Sequence, residues 1–244
     1  MTARSPGRAP LALALLLAAG PAAAQTPLGP NERLAEPQVN VQDRDDTWVL
    51  EFKFKDPRVL TVDVPGRGRK TVYYLWYQVI NKTPQAHTFI PDFELVTHDR
   101  HTVHRDQVLP RVQEDIRKVE DPTGFLDIKN SVTMAAQPIP PSRPDAVPTA
   151  VTGLAIFPDV VDKAADTTQF SIYVAGLSNG WTVDDKGVVR RKTLQLNFRR
   201  FTDALHQSSQ DIKFVPPTEW IYRATTLKAP AKPGEAAAPK DTDK

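Results

Sequence analysis

The chain has 244 residues, of which 40% are hydrophobic and 25% are charged, and it contains no cysteine. Disulfides, thiol nucleophiles and cysteine-ligated zinc are therefore excluded. Its 31 Lys and Arg residues stand against 29 Asp and Glu residues, and a chain so nearly neutral lacks the broad positive field that is typical of nucleic-acid binding.

The N-terminus is typical of a secretory signal peptide. Arg4 and Arg8 form a basic leader, an apolar run follows over 11–19, and small residues close the segment at Ala24. The apolar run is about half the roughly 20 residues that a membrane-spanning helix needs. Cleavage of this segment would remove Arg4 and Arg8 and leave a mature chain with 29 basic and 29 acidic residues. We expect a signal peptide at 1–24 and a bacterial periplasmic or secreted protein, with no membrane insertion after cleavage.

The two flanking segments, 25–46 and 228–244, have little apolar periodicity. The second mixes Ala, Pro and Lys, and such a segment buries too little apolar surface to offset its ordering entropy. We predict a flexible N-terminal segment, a single domain over 47–227 and a disordered tail. The proline-rich stretch 138–148 leaves open a division into two subdomains, but proline also suits a long connection inside one domain.

The central region has the patterning of β-strands. In 47–54, TWVLEFKF, aromatic and aliphatic residues alternate with other residues, and after Asp56-Pro57 the pattern resumes over 59–64. The next run, TVYYLWYQVI over 71–80, is apolar on both faces and predicts a central strand packed on both sides. Further strands are predicted over 93–97, 149–157, 168–177 and 192–201, with shorter ones beginning at Asp211 and Glu219.

One segment, 111–119, has helical spacing instead. Val112, Ile116 and Val119 recur at three or four residues, and Glu114 can pair with Lys118 one turn later. Asp121-Pro122 then ends the helix. The fold class predicted from these elements is mainly β: an antiparallel β-sandwich with one short helix in a connection.

Three runs carry a resemblance to a known group. YYLWYQVINKT, FELVTHDRHTV and VPTAVTGLAIF resemble successive strands of immunoglobulin-like sandwich domains in bacterial exported proteins. The shared pattern is an aromatic strand that ends in Val-x-Asn, a following hairpin, and a late strand introduced by Pro and Gly. The resemblance covers 48–200 and implies an immunoglobulin-like fold and export. It implies no catalytic residues.

The stretch HDRHTVH holds three of the five histidines. If 93–97 is a strand, a two-residue turn at Asp99-Arg100 places His98 opposite His101 on one face, whereas His104 pairs near Leu95 and belongs to the other face. Two imidazoles form a weak site for Cu(II), Ni(II) or Zn(II), because structural zinc needs four ligands and catalytic zinc three. The hypothesis is a metal site at His98 and His101, and solvated turn histidines are the alternative.

Two basic clusters are predicted to lie in loops. If the loops meet at one end of the sandwich, they form a patch for an anion or a partner, and scattered solubilising charge is the alternative. The first cluster is Arg67, Arg69 and Lys70, and the second is Arg190, Arg191 and Lys192.

No motif for a catalytic site is present. The chain has no Gly-x-Ser-x-Gly elbow, phosphate-binding glycine loop or His-Glu-x-x-His helix, so we expect no catalytic residues, no cofactor and no nucleic-acid partner. The leading hypothesis is a non-catalytic exported protein that has a structural role or binds a protein or cell-envelope component. The alternatives are a ligand-binding module for carbohydrate or a divalent metal, and then an undetected hydrolase.

Overall fold

A computed structural model describes residues 28–29, 31–143, 146–201 and 211–224. The predicted signal peptide 1–24 and tail 228–244 lie outside these residues. Within the described ranges, no helix has the length and apolar character needed to cross a membrane. The elements are β1 Glu32–Ala35, β2 Glu51–Lys55, β3 Arg58–Val64, β4 Gly68–Ile80, β5 Asp92–Thr97, β6 Val103–Arg105, α1 Pro110–Glu120, α2 Ser131–Ala135, β7 Ala150–Phe157, α3 Val160–Ala164, β8 Gln169–Ala175, β9 Trp181–Val183, β10 Val189–Arg200 and β11 Ile212–Ala224.

The strands form two antiparallel sheets, so the predicted mainly-β class is confirmed. In sheet 1 the order is β1-β2-β4-β3, and β7 pairs with the opposite edge of β4. β2 and β3 lie end to end, because β2 pairs with 77–80 of β4 and β3 pairs with 68–74. The predicted interruption at Asp56-Pro57 falls between them.

Sheet 2 has the order β11-β10-β8-β5-β6. β9 pairs with 189–191 of β10, on the same edge where β8 pairs with 193–199, so β9 and β8 lie end to end. The two short strands predicted from Asp211 and Glu219 are one strand, β11, which pairs along the whole of β10. The ladder between them shifts register between Gln195 and Asn197. Pro216-Pro217 lies opposite this irregularity, where the missing N–H groups of proline are tolerated.

β4 is buried on both faces, as the sequence predicts. Tyr73, Leu75 and Tyr77 point into the core that sheet 1 shares with sheet 2. Val72, Tyr74 and Trp76 point the other way and pack in a second core that includes Val112 and Ile116 of α1. The aromatic residues of β4 are thus core side chains, which is the usual role of aromatics in a β-rich protein.

The prediction of a single helix is wrong. α1 covers the predicted segment and ends before Asp121, but α2 and α3 are two further helices of five residues each, too short to show a helical period. The predicted Glu114–Lys118 pair is also wrong, because both side chains pair at i,i+3 with other residues. The three helices pack against β3, β7 and β4, all in sheet 1.

Part of the segment predicted to be flexible, 25–46, is ordered by contacts with distant residues. β1 pairs with β2, and Asp43 pairs with Lys192, whose side chain is fully buried. Tyr222 donates a hydrogen bond to the same carboxylate at 2.6 Å. Burial opposes the ionisation of Asp43, but the hydrogen bonds from Lys192 and Tyr222 outweigh it and lower the pKa. This described part of the segment therefore packs onto the domain, and its flexibility stays a prediction.

Gly153 of β7 provides a test of the packing between β4 and β7. A Cβ at this position would overlap Tyr77 Cζ and lie 2.8 Å from Met134 Cε. We expect Gly153→Ala to reduce the free energy of unfolding by about 1–3 kcal/mol, because overpacking forces the core to shift. Denaturant unfolding measures the loss. Since Tyr77→Leu removes the obstructing ring, the double variant should lose less than the sum of the two single losses, and a simple sum would contradict the packing explanation.

Candidate functional site

The outer face of sheet 2 is the candidate site. Leu194 and Leu196 of β10 point into the core, so the alternate residues of that strand point outward. The helices pack on sheet 1, and this face is therefore the one that no described helix covers. A row of outward residues crosses five of the six strands, β6, β5, β8, β10 and β11, and each residue is opposite the next in the register: Arg105, Glu94, Tyr173, Gln195 and Glu219.

Two arginines converge on one carboxylate in this face. Glu94 is only 7% exposed, and it accepts hydrogen bonds from Arg105 at 2.7 Å and from Arg223. Arg223 extends from β11 over β10 and β8, and its guanidinium lies 4.2 Å from the centre of the Tyr173 ring. We call Glu94, Arg105, Tyr173 and Arg223 the arginine clasp. It joins β5, β6 and β11 through charge-assisted hydrogen bonds and β8 through the cation–π contact of Arg223 with Tyr173.

Asp92 lies beside the arginine clasp without joining it. Among the described residues, its carboxylate has no hydrogen-bond or ion-pair partner, because Glu94 engages both Arg105 and Arg223. Burial raises the pKa of Asp92, although the guanidinium of Arg105 opposes the rise. Asp92 also borders a concavity of about 10 Å³ whose floor includes the small residues Ala175 and Thr193. That volume holds about one water molecule.

An apolar cluster lies at the β9 end of the same face. We define the Trp181 cluster as Trp181, Val183 and Val189, which are 44%, 49% and 41% exposed. Val183 is opposite Val189, and Trp181 is opposite Arg191, so all four side chains share the outer face. The guanidinium of Arg44 lies 5.0 Å from the Trp181 ring centre. The side chain of Arg191 has no hydrogen-bond or ion-pair partner in the described part of the chain.

The predicted histidine hairpin forms, but with a longer turn. His104 is opposite Leu95, as predicted, whereas the turn spans four residues, 98–101, because the last pair joined by a backbone hydrogen bond is 97 with 102. The prediction of a two-residue turn is wrong, so His98 and His101 are not a cross-strand pair. Asp99 accepts hydrogen bonds from Thr167 and Thr168, which fastens this wider turn to the start of β8.

His98 and His101 have different surroundings. Nε2 of His98 lies 2.7 Å from Ser171 Oγ, while His101 is exposed and has a φ of 53°. The described residues contain no group of three or more His, Cys, Asp or Glu placed to hold a metal ion. The metal site at His98 and His101 stays a hypothesis.

His104 is fully buried and points to the opposite face from His98, toward α3. Its Nδ1 lies 2.9 Å from Asp159 Oδ1, and its Nε2 lies 2.7 Å from Thr102 Oγ1. Burial opposes the ionisation of Asp159, but hydrogen bonds from Lys163 and His104 lower its pKa. With both ring nitrogens engaged, His104 links the β5–β6 hairpin to the residue that precedes α3.

The second predicted basic cluster lies in strand β10 rather than in a loop. Its three residues therefore point alternately to the two faces. Arg190 pairs with Asp184 at 2.8 Å, and Lys192 is buried against Asp43, so only Arg191 belongs to the outer face. The prediction of a basic loop is wrong here because the strand begins three residues earlier than the sequence pattern indicates.

The structure does not bring the two basic clusters together. The first cluster lies at the β3–β4 hairpin, where Lys70 pairs with Asp162 at 2.5 Å. Arg200, at the far end of β10, donates a hydrogen bond to Tyr73 Oη at 3.0 Å, so this hairpin lies beyond the Arg200 end. At about 3.3 Å per residue, the second cluster is ~30 Å from Arg200 at the other end of β10.

Asp92, Glu94 and Trp181 were not among the site residues predicted from the sequence. The i,i+2 spacing of Asp92 and Glu94 places both on one face of β5, and this signal was present in the sequence. Trp181 could be placed opposite Arg191 once the turn at 184–187 is taken as the centre of a hairpin.

In comparisons with known proteins, no family model matches the chain, and no curated protein or solved structure matches it.

The raised pKa of Asp92 gives a pH-dependent prediction. A folded pKa above the ordinary value of 3.8 means that the ionised carboxylate reduces stability at neutral pH, and that this cost disappears below about pH 3.8. We expect Asp92→Asn to raise the Tm by about 1–3 °C at pH 7 and to have no effect near pH 3, as measured by calorimetry. The exposed Asp63→Asn is the charge-matched control, and a lower Tm for Asp92→Asn at pH 7 would contradict the prediction.

The metal hypothesis is tested by titration. If His98 and His101 hold a metal, His98→Ala/His101→Ala should bind Zn(II) or Cu(II) at least about tenfold more weakly than the unmodified protein, because both nitrogen ligands are lost. Isothermal titration calorimetry measures this difference, with His87→Ala as a control. Equal, weak binding by all three proteins would remove the hypothesis.

Proposed function

We propose that this protein is a non-catalytic exported protein, with an immunoglobulin-like β-sandwich fold, that binds a protein or cell-envelope component through the outer face of sheet 2. The observation that carries the proposal is the Trp181 cluster, an exposed apolar surface beside two charged side chains, Arg191 and Asp92, that lack partners among the described residues. Trp, Tyr and Arg are enriched at protein interfaces, and a few such residues carry most of the binding energy.

The arginine clasp supports the proposal because it links the strands of this face to one another in the absence of a partner. Glu94 and its two arginines hold Tyr173 and the neighbouring strands in one arrangement. A surface that is already ordered loses little conformational entropy on binding. The outer face of sheet 1 does not offer a comparable surface to a partner, since α1 covers that side of β4.

A carbohydrate-binding module is a second candidate function. The aromatic residues of β4 that suggested a stacking platform are buried, but the half-exposed indole of Trp181 has Arg191 beside it, whose planar guanidinium can donate hydrogen bonds to hydroxyls. Soluble oligosaccharides that bind there should quench the fluorescence of the unmodified protein but not of Trp181→Phe. Trp76 and Trp220 are 4% exposed, so they should contribute little to such quenching.

Site-specific photo-cross-linking in the native host tests the binding face. With p-benzoylphenylalanine in place of Val183, we expect a discrete cross-linked adduct, because this position belongs to the Trp181 cluster on the exposed face. The same group in place of the exposed Arg69, at the β3–β4 hairpin, should give none. Adducts from both positions or from neither would contradict the proposal, as would turnover by the purified protein on a broad panel of hydrolase substrates.

A further inference from the structure

We infer that Asp92 and Arg191 are the two charge-recognition points of this face, and that the partner is a protein that brings a cationic side chain to Asp92, a carboxylate to Arg191 and an apolar residue to the Trp181 cluster. The inference rests on the proposed function and adds to it the chemistry of the partner.

Asp92 has no ion-pair partner among the described residues, although three arginines act on it. Arg105, Arg191 and Arg223 all act on its carboxylate electrostatically. Arg105 and Arg223 bind Glu94 instead, and the concavity beside Asp92 has room for little more than one water. A half-buried carboxylate without a partner is costly, and an ammonium or guanidinium group of a partner would supply the missing hydrogen bonds.

Arg191 is the second charged residue on this face whose side chain has no ion-pair partner among the described residues. Its side chain is exposed, lies on the outer face opposite Trp181, and forms no ion pair with any described residue. Arginine binds carboxylates in a two-pronged geometry, so a carboxylate that docks here would gain both charge pairing and a fixed orientation.

The combination of Asp92, Arg191 and the Trp181 cluster fits a polypeptide better than other ligands. The concavity beside Asp92 holds about one water molecule and is too small to enclose a small-molecule ligand. A polyanion would satisfy Arg191 but would place negative charge against Asp92. A neutral glycan has no group that is attracted to either charge at long range. A protein surface offers a cation, an anion and an apolar side chain within one contact area, with the apolar residue on Trp181 as the anchor.

The test combines the cross-linker at Val183 with single substitutions. We expect Asp92→Asn and Arg191→Gln each to reduce the yield of the adduct by about fivefold or more, since each removes one charge pair at a contact. Asp63→Asn and Arg69→Gln, which remove the same charges elsewhere, should leave the yield unchanged. Digestion of the adduct with protease should release the cross-linked partner as peptides.

The possible results separate the inference from the proposed function. If the adduct forms in the unmodified protein and persists at full yield in Asp92→Asn and Arg191→Gln, the charge assignment is wrong while the binding face stands. An adduct whose added mass resists protease but is lost to a glycan hydrolase would overturn the protein partner. If no adduct forms from Val183 at all, the proposed function itself fails. Thermal melts of both variants show whether a reduced yield reflects unfolding.

Discussion

The burial of β4 on both faces is the constraint on which the rest of the structure depends. One face of the strand belongs to the core shared with sheet 2, and the other packs against α1. A strand with apolar residues on both faces requires a layer on each side, and the chain supplies a sheet for one and a helix for the other. Sheet 2 has no such requirement, because its outward residues are mostly polar, and its outer face therefore remains available for a partner.

Local patterns in the sequence predict β4, the interruption at Asp56-Pro57, the first helix and the pairing of His104 with Leu95, because each depends on residues close together in the chain. The width of the histidine turn was not predictable in the same way. Asp99 in this turn binds Thr167 and Thr168, nearly 70 residues away, and a local pattern does not indicate such a contact. The order of the N-terminal segment depends likewise on Lys192, which lies 149 residues beyond Asp43.

The candidate site shows the same division between local and distant information. Alternation along β5 places Asp92 and Glu94 on one face, and the hairpin at 184–187 sets Trp181 opposite Arg191. What no local pattern indicates is that Arg223, 129 residues after Glu94, reaches across two strands to bind it. Because of that distant contact, Glu94 is paired with Arg223 while Asp92 has no ion-pair partner among the described residues, and this difference between the two carboxylates appears only in the tertiary structure.

The position of Arg223 also has a mechanical consequence. It is the second-last residue of β11, which ends at Ala224, and the last pairs of the ladder join Ala224 to Arg190 and Arg223 to Arg191. Tension on the chain beyond Ala224 would separate β11 from β10 one residue pair at a time, starting at the Ala224 end, because the terminal pairs of a ladder open most easily. The second pair to open would carry Arg223 away from Glu94 and leave Arg105 as the arginine of the clasp that still binds this carboxylate, so a pulling force at this end would change the charge pairing on the outer face of sheet 2.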